Sequence, residues 1–180
     1  MSRFVVISGC SGGGKSTLLV ELRRRGHAVC DEPGRRVVAL EEQVGGQALP
    51  WVDLEHFLRK ALDVALDDYT RAFDHNGWVF FDRGLIDAAV GLSILRPEED
   101  LTELLRAHPY YPQVFLVPPW PEIYVQDDAR RHTFADAVTE FETLEQAYPA
   151  LGYQVSLLPK TGVPERADFL LHSLGKAACR

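Results

Sequence analysis

The feature that most constrains this chain is the glycine-rich segment 9–16, Gly-Cys-Ser-Gly-Gly-Gly-Lys-Ser. It fits the pattern G-x-x-x-x-G-K-[ST], and it lies between an apolar, strand-like run at 4–7 and a helical stretch that begins at Thr17. Glycines let backbone N–H groups turn inward around a phosphate, and a helix N-terminus adds partial positive charge. In this pattern Lys15 contacts the β- and γ-phosphates and the Ser16 hydroxyl ligates Mg²⁺. The segment predicts a P-loop that binds ATP with Mg²⁺.

The residues predicted to bind the nucleotide are Gly9, Cys10, Ser11, Gly12, Gly13, Gly14, Lys15, Ser16 and Thr17. The alternative is a glycine-rich turn that matches the pattern by accident, and the strand before it and the helix after it argue against this. Cys10 is either an oxidisable thiol, since a helix N-terminus favours the thiolate, or a small residue that fills the loop.

Composition limits the remaining possibilities. With 180 residues, 46% of them hydrophobic, the chain can bury one sizeable core, so we expect a single domain over 1–180. A formal net charge of -7, with acids and bases mixed along the chain, argues against a surface for duplex nucleic acid. We expect no signal peptide and no membrane partner, and three cysteines without metal-ligand spacing suit a reducing cytoplasm. The oligomeric state stays open, a homodimer included.

Strand-like and helical segments alternate along the chain. The strand candidates are 4–7, 27–30, 78–81, 114–117 and 153–158. Among the helices, one is expected from Asp53, a plausible N-cap, to about 76–77, and one from Thr133, which has Asp136 at capping-box spacing. The last helix is expected from Pro164 to about Leu174. Continuous apolar strands separated by helices predict a three-layer α/β fold with a five-stranded parallel sheet.

A polar cluster follows each predicted strand. The clusters are the P-loop, Asp31-Glu32, Asp82-Arg83, Asp127-Asp128 with Arg130-Arg131, and Lys160-Thr161-Gly162. In open parallel sheets, ligands bind outside the carboxyl ends of the strands. We therefore expect the clusters to meet at one edge of the sheet.

Asp82 ends the third predicted strand, where P-loop proteins place the Walker B carboxylate that lies near Mg²⁺. Asp82 and Ser16 are thus the predicted metal-binding residues. The alternative is that Asp82 caps the helix at Leu85 and that Arg83 is its surface partner. Arg83 stands where hydrolytic ring ATPases commonly have a water-activating glutamate, and it suits charge on a bound phosphate or acceptor. No Asn-Lys-x-Asp motif for guanine is present.

These motifs resemble those of known families. Asp31-Glu32-Pro33 and Asp82-Arg83-Gly84 are similar to the corresponding motifs of P-loop nucleoside and nucleotide kinases. A second resemblance covers nearly the whole chain and involves a bacterial group of predicted small P-loop ATPases, similar in turn to the nicotinamide-riboside kinase domain. Its motifs are 32–36, Pro118-Pro119-Trp120-x-x-Ile123-Tyr124, Asp127-x-x-Arg130-Arg131 and 165–169. The resemblance implies a nucleotide-kinase-like fold with a small lid, and ATP binding, and it does not specify an acceptor.

The resemblance also implies roles for individual residues. Glu32 is the candidate general base, although Asp31 competes for this role and Glu32 could instead interact with the helix macrodipole. Arg35 and Arg36 would hold an anionic acceptor or pair with nearby acids. Arg130 and Arg131 fall in the expected lid, 120–133, where an arginine would neutralise the transferred phosphoryl group, or else they lie on a solvated helix. By position alone, 160–163 matches the loop that flanks adenine.

The functional hypothesis is an ATP-dependent kinase that phosphorylates a small hydroxylated, nucleoside-like molecule. Its predicted catalytic residues are Lys15, Glu32, Asp82, Arg130 and Arg131, and its predicted acceptor-binding residues are Asp31, Arg35, Arg36 and Arg83. The alternative is an ATPase or a nucleotide-binding regulatory module that has no small-molecule acceptor.

Overall fold

The computed structural model describes residues 2–124 and 133–178. In these ranges five parallel strands form one sheet, in the order β2-β3-β1-β4-β5. The strands are β1 (Phe4–Gly9), β2 (Ala28–Cys30), β3 (Val79–Asp82), β4 (Gln113–Val117) and β5 (Gln154–Leu157). The helices are α1 (Lys15–Arg24), α2 (Pro33–Val44), α3 (Leu54–Arg71), α4 (Leu85–Leu95), α5 (Thr102–Ala107), α6 (Phe134–Ala150) and α7 (Val163–Ala178), with short 3₁₀ turns at Ala72–Asp74 and Pro121–Ile123. The predicted α/β class and parallel sheet are confirmed.

Strand β1 lies at the centre of the sheet. Phe4 is in register with Val79 of β3, and Ile7 is in register with Phe115 of β4. Val5, Val6 and Ile7 are completely buried. Because successive residues of a strand point to opposite faces, burial of consecutive residues means that helices cover both faces of the sheet. This is the three-layer arrangement, and it places the loop after β1 at the middle of the sheet edge.

The helix boundaries follow local capping signals. The Asp53 side chain accepts a hydrogen bond from the His56 N–H at 3.0 Å, which confirms the predicted N-cap of α3. Thr133 and Asp136 form the predicted capping box of α6. Helix α3 ends at Arg71 and continues as a 3₁₀ turn, so it is shorter than predicted, whereas α7 extends past Leu174 to Ala178.

The helices form two packing groups. In the first, α1 packs against α7, and in the second, α3 packs against both α2 and α4. Helix α6 contacts β1, β5 and α4. Within the described residues, no helix combines the length and the apolar character that crossing a bilayer requires.

Candidate functional site

The loop between β1 and α1 has the conformation of a P-loop. Gly9, Gly12 and Gly14 have φ of 99°, 77° and 77°, the left-handed region that glycine tolerates. A Cβ at Gly9 would lie 2.6 Å from the carbonyl oxygen of Val117, so a side chain cannot fit between β1 and β4. The Cys10 N–H donates to that same oxygen at 3.0 Å and ties the loop to β4. The thiol of Cys10 is buried and donates to the Ser11 carbonyl, which favours the loop-filling interpretation of this cysteine.

Lys15 lies inside this loop. Its side chain is buried, and its ammonium group donates to the Cys10 carbonyl at 3.1 Å. Burial, and secondarily the charge of Arg83, lower the pKa of Lys15. In the ranges 2–124 and 133–178 no carboxylate forms an ion pair with it. A buried cation in a glycine-rich loop, without a pairing carboxylate in these ranges, is suited to an anionic ligand.

Two hydroxyl groups follow Lys15 in the first turn of α1. Ser16 and Thr17 are both exposed, and the Thr17 hydroxyl donates to the Gly14 carbonyl at 2.9 Å. The Ser16 side chain, the predicted metal ligand, is thus accessible from solvent.

Asp82 is the last residue of β3, and its environment fits a metal-binding carboxylate. It is 3% exposed, and its Oδ1 atom has no hydrogen-bond partner among the described residues. Burial raises the pKa of Asp82 to about 6, with the charge of Lys15 acting in the opposite direction. A buried, unsatisfied carboxylate oxygen next to a phosphate-binding loop is a ligand of the kind that Mg²⁺ takes together with nucleotide phosphates. The described residues contain no cluster of His, Cys, Asp and Glu that would hold a metal by itself.

Arg83 has an unusual backbone conformation, since its φ of 64° is the only positive value at a non-glycine position in the described chain. The side chain is 12% exposed. It forms ion pairs with Glu32 at 3.3 Å, Asp87 at 3.2 Å and Glu140 at 2.9 Å. Although burial acts to lower it, the pKa of Arg83 is held well above its ordinary value by these carboxylates, that of Glu140 most strongly.

The position of Arg83 excludes the surface-pair alternative for Asp82. Gly84, rather than Asp82, is the N-cap of α4, and its N–H donates to Asp87 at 3.0 Å. Arg83 also donates to the Gly9 carbonyl at 3.3 Å, so it connects the P-loop to the carboxylates that surround it.

Glu32 lies at the start of α2 and faces the same region. Its carboxylate contacts the Nε of Arg83 at 3.3 Å and the Nε of Arg35 at 3.2 Å, and it makes no capping hydrogen bond to α2. Its side chain is 22% exposed. Of the two acids that follow β2, Glu32 is the one that reaches the site.

A cavity of about 510 Å³ opens beside Glu32, between α2, α3, α4 and α6. This is within the range of about 300–1,000 Å³ that is usual for small-molecule sites. Its polar end includes Ser11 of the P-loop, Glu32 and Arg83, and its walls are largely apolar. The residues that form these walls include Val38, Phe57, Leu58, Ala61, Ala88, Ile94 and Leu95. The cavity therefore connects a phosphate-binding loop with room for a second molecule.

The structure does not bring all the predicted acceptor residues to this cavity. Asp31 is 69% exposed and pairs with Arg23 at 2.8 Å. Arg36 pairs with Asp68 of α3 at 2.7 Å, so the ion-pair alternative describes Arg36. Of the four predicted acceptor-binding residues, Arg35 and Arg83 line the cavity, as does the predicted base Glu32. Arg130 and Arg131, with most of the expected lid, lie outside the described residues.

Arg166 of α7 contacts the P-loop, a contact that the sequence did not predict. It is 2% exposed and donates to the carbonyls of Gly13 at 3.0 Å and Gly14 at 3.4 Å. Its guanidinium lies 5.9 Å from the centre of the Trp120 ring, and burial lowers the pKa of Arg166. The sequence contained one indication of this contact. A cation near the start of a helix lies unfavourably close to the positive end of the macrodipole, so an arginine at this position suggests a compensating contact outside the helix.

Fold and site together define a P-loop NTPase with a kinase-like architecture. A sequence model of the family described as AAA domain matches residues 4–166, and the chain belongs to that family. No curated protein sequence matches the chain.

Several solved kinases share the fold. The deoxyadenosine kinase from M. mycoides with bound dATP has a TM-score of 0.67 at 15% identity, covering 96% of this chain and 98% of that one. Shikimate kinase from Acinetobacter baumannii in complex with shikimate has a TM-score of 0.63 at 13% identity, covering 100% and 97%. A NadR protein in complex with NR has a TM-score of 0.63 at 23% identity, covering 89% of this chain and 46% of that one. At these identities the similarity establishes the fold.

Proposed function

We propose that this protein transfers the γ-phosphoryl group of ATP to a hydroxyl group of a small molecule held in the cavity. The observation that carries the proposal is the position of Glu32. Its carboxylate is held by Arg83 at 3.3 Å, at the end of an apolar cavity that also reaches Ser11 of the P-loop. The kinase folds of the structural neighbours support the same class of reaction.

The P-loop and Lys15 bind ATP, the phosphoryl donor. The Lys15 ammonium and the backbone N–H groups of the P-loop, other than those of Cys10 and Gly13, which are bonded within the protein, bind the β- and γ-phosphates. Arg166 fixes the loop through the carbonyls of Gly13 and Gly14. Asp82 and Ser16 would hold Mg²⁺, which neutralises phosphate charge when it is bound with ATP.

Glu32 serves the acceptor. It accepts the proton of the attacking hydroxyl while that oxygen forms a bond to the γ-phosphorus, and the bond between this phosphorus and the bridging oxygen of ADP breaks. Arg83 positions the Glu32 carboxylate through the ion pair. Because Arg83 also donates to the Gly9 carbonyl, it fixes the position of this carboxylate relative to the P-loop. Arg130 and Arg131 remain proposed as lid arginines that neutralise the moving phosphoryl group.

Hydrolysis of ATP without an acceptor is less well supported. Arg83 occupies the position next to Asp82 at which a glutamate would activate water, and its three ion pairs keep it in place. The Glu32 carboxylate lies in a cavity whose walls are largely apolar, and such walls suit an organic molecule better than bulk water.

The test is a screen with ATP and Mg²⁺ against nucleosides, nucleotides and other small hydroxylated metabolites, and Lys15→Ala is the inactive control. We expect ADP release that depends on an acceptor, with a phosphorylated product detected by mass spectrometry, and neither from Lys15→Ala. ATP hydrolysis that no acceptor accelerates, without any phosphorylated product, would refute the kinase proposal.

A further inference from the structure

The carboxylate of Asp87, in the first turn of α4, accepts four hydrogen bonds. Its Oδ1 atom accepts from the Ser8 hydroxyl and, at 3.2 Å, from the Arg83 guanidinium. Its Oδ2 atom accepts from the Tyr148 hydroxyl at 2.8 Å and from the Gly84 N–H at 3.0 Å. Ser8 of β1 and Tyr148 of α6 are both completely buried. Donors from β1, α6 and the turn before α4 thus fix this carboxylate from several directions.

Arg83, which this carboxylate contacts, has a backbone conformation that its neighbours must impose. Its φ of 64° lies in the left-handed region, which is unfavourable for a residue with a Cβ. The Arg83 N–H donates to the Ile7 carbonyl at 2.9 Å, and the next N–H, that of Gly84, donates to Asp87. Asp87 therefore fixes Arg83 at two points, through the guanidinium and through the backbone of the following residue.

The three carboxylates that pair with Arg83 differ in their exposure. The side chains of Glu32 and Glu140 are 22% and 41% exposed, whereas that of Asp87 is 7% exposed. Glu32 contacts the Nε atom of Arg83, and Asp87 contacts the Nη1 atom. Because a guanidinium is planar and rigid, fixing one of its nitrogens also fixes the direction of the others. The orientation of Arg83 towards Glu32 thus depends on its contact with Asp87.

We propose that Asp87 and Tyr148 are positioning residues for phosphoryl transfer, a proposal that rests on the proposed kinase function. Tyr148 fixes the Asp87 carboxylate, and Asp87 fixes Arg83. Arg83 in turn holds the Glu32 carboxylate where it accepts the proton of the attacking hydroxyl. Asp87 and Tyr148 take no proton themselves, so their loss should lower turnover and leave ATP binding nearly unchanged.

The first experiment measures exchange of the Arg83 Nε–H proton with solvent by heteronuclear NMR, without nucleotide, and Arg83→Lys assigns the signal. The Nε atom faces Glu32 and not Asp87, so this proton reports the pair that is proposed to be positioned. We expect Asp87→Asn to accelerate the exchange about tenfold or more, because a hydrogen bond between charged groups is lost. Unchanged exchange in Asp87→Asn, or exchange too fast to observe in the natural protein, overturns the proposal.

The second experiment separates positioning from a general loss of stability. Tyr148→Phe removes the hydroxyl that contacts Asp87. The control is Tyr69→Phe, because Tyr69 is also buried and its hydroxyl donates at 2.9 Å to the Pro109 carbonyl. We expect about three- to tenfold faster Arg83 Nε–H exchange in Tyr148→Phe and no change in Tyr69→Phe. Equal exchange in the two variants overturns the proposal, and this comparison decides the matter if Asp87→Asn does not fold.

The third experiment measures turnover and ATP affinity in the same variants. The acceptor is the first hydroxyl compound that the screen shows to be phosphorylated, and calorimetry uses a non-hydrolysable ATP analogue with Mg²⁺. We expect kcat to fall about tenfold or more in Asp87→Asn and about threefold or more in Tyr148→Phe, with ATP affinity within about threefold of that of the natural protein. An ATP affinity that falls as much as kcat would mean a damaged P-loop and overturns the positioning role.

Failure of the kinase proposal gives a different result. In that case the natural protein phosphorylates no acceptor, but Asp87→Asn and Tyr148→Phe still accelerate Arg83 Nε–H exchange. That outcome supports Asp87 as the residue that fixes the pair of Arg83 and Glu32. Accelerated exchange with a normal kcat would instead support a kinase and refute the positioning role.

Discussion

Replacing Asp82 by asparagine should make the protein more stable without nucleotide. Burial raises the pKa of Asp82 from an ordinary value of 3.8 to about 6, against the opposing charge of Lys15. Between these two values the folded protein holds a proton that the unfolded chain has released. Stability therefore falls as the pH rises through this window, because the native state binds more protons than the unfolded state there.

The size of the effect follows from the shift. A difference of about 2 pKa units corresponds to about 3 kcal/mol, since one unit is about 1.4 kcal/mol. Asparagine has nearly the same shape and no charge, so Asp82→Asn removes this cost at neutral pH. The shift already includes the opposing attraction of the Lys15 ammonium, so we expect a net gain of up to about 3 kcal/mol near pH 7 and little change near pH 4.

Urea unfolding of both proteins at the two pH values, without nucleotide, measures this difference, and Asp74→Asn is the control because Asp74 is exposed. Calorimetry with ATP should show in parallel that Asp82→Asn has lost most of the Mg²⁺ dependence of binding. A variant that is less stable than the natural protein near pH 7, or a difference that does not change with pH, would refute the reasoning about burial.

Other predictions concern nucleotide binding and turnover. Lys15→Ala should abolish ATP binding measured by calorimetry and leave the circular dichroism spectrum unchanged, and retained affinity would contradict the role of its ammonium group. Glu32→Gln should keep ATP affinity and lower turnover by about 10²–10⁴, the usual contribution of a positioned general base, and near-normal turnover would assign the proton to another group. Arg166→Met should weaken ATP binding about tenfold or more, since its two loop hydrogen bonds are worth about 1.5–3 kcal/mol each, whereas Arg23→Met, at an exposed ion pair, should not. Equal affinities of these two variants would mean that Arg166 does not position the loop.

Backbone chemistry made much of the fold predictable. The P-loop could be located because its glycines, its lysine and the flanking strand and helix are consecutive in the chain. The N-cap at Asp53 and the capping box at Thr133 were equally local, and both are present. The order of the strands could not be predicted from local patterns, because pairing of β1 with β3 and β4 joins segments that are far apart in the sequence.

The candidate site was predictable to a smaller extent. Asp31 and Glu32 are adjacent and chemically similar, and only the direction of each side chain decides which one enters the cavity and which one pairs with Arg23. Arg36 likewise finds Asp68 on a different helix, a partner that no local pattern indicates. Contacts between residues far apart in the sequence decide which acid enters the cavity and which partner Arg36 has. Local sequence patterns do not indicate such contacts.

The contact between Arg166 and the P-loop has a consequence for how the protein is made. The loop is complete in sequence by Ser16, but the guanidinium that holds the Gly13 and Gly14 carbonyls belongs to α7. During synthesis, which proceeds from the N-terminus, the nucleotide site therefore reaches its final form only after nearly the entire domain has left the ribosome. ATP present in the cell should then stabilise late folding states rather than early ones, and a nascent chain that stops before α7 should gain no protease protection from it.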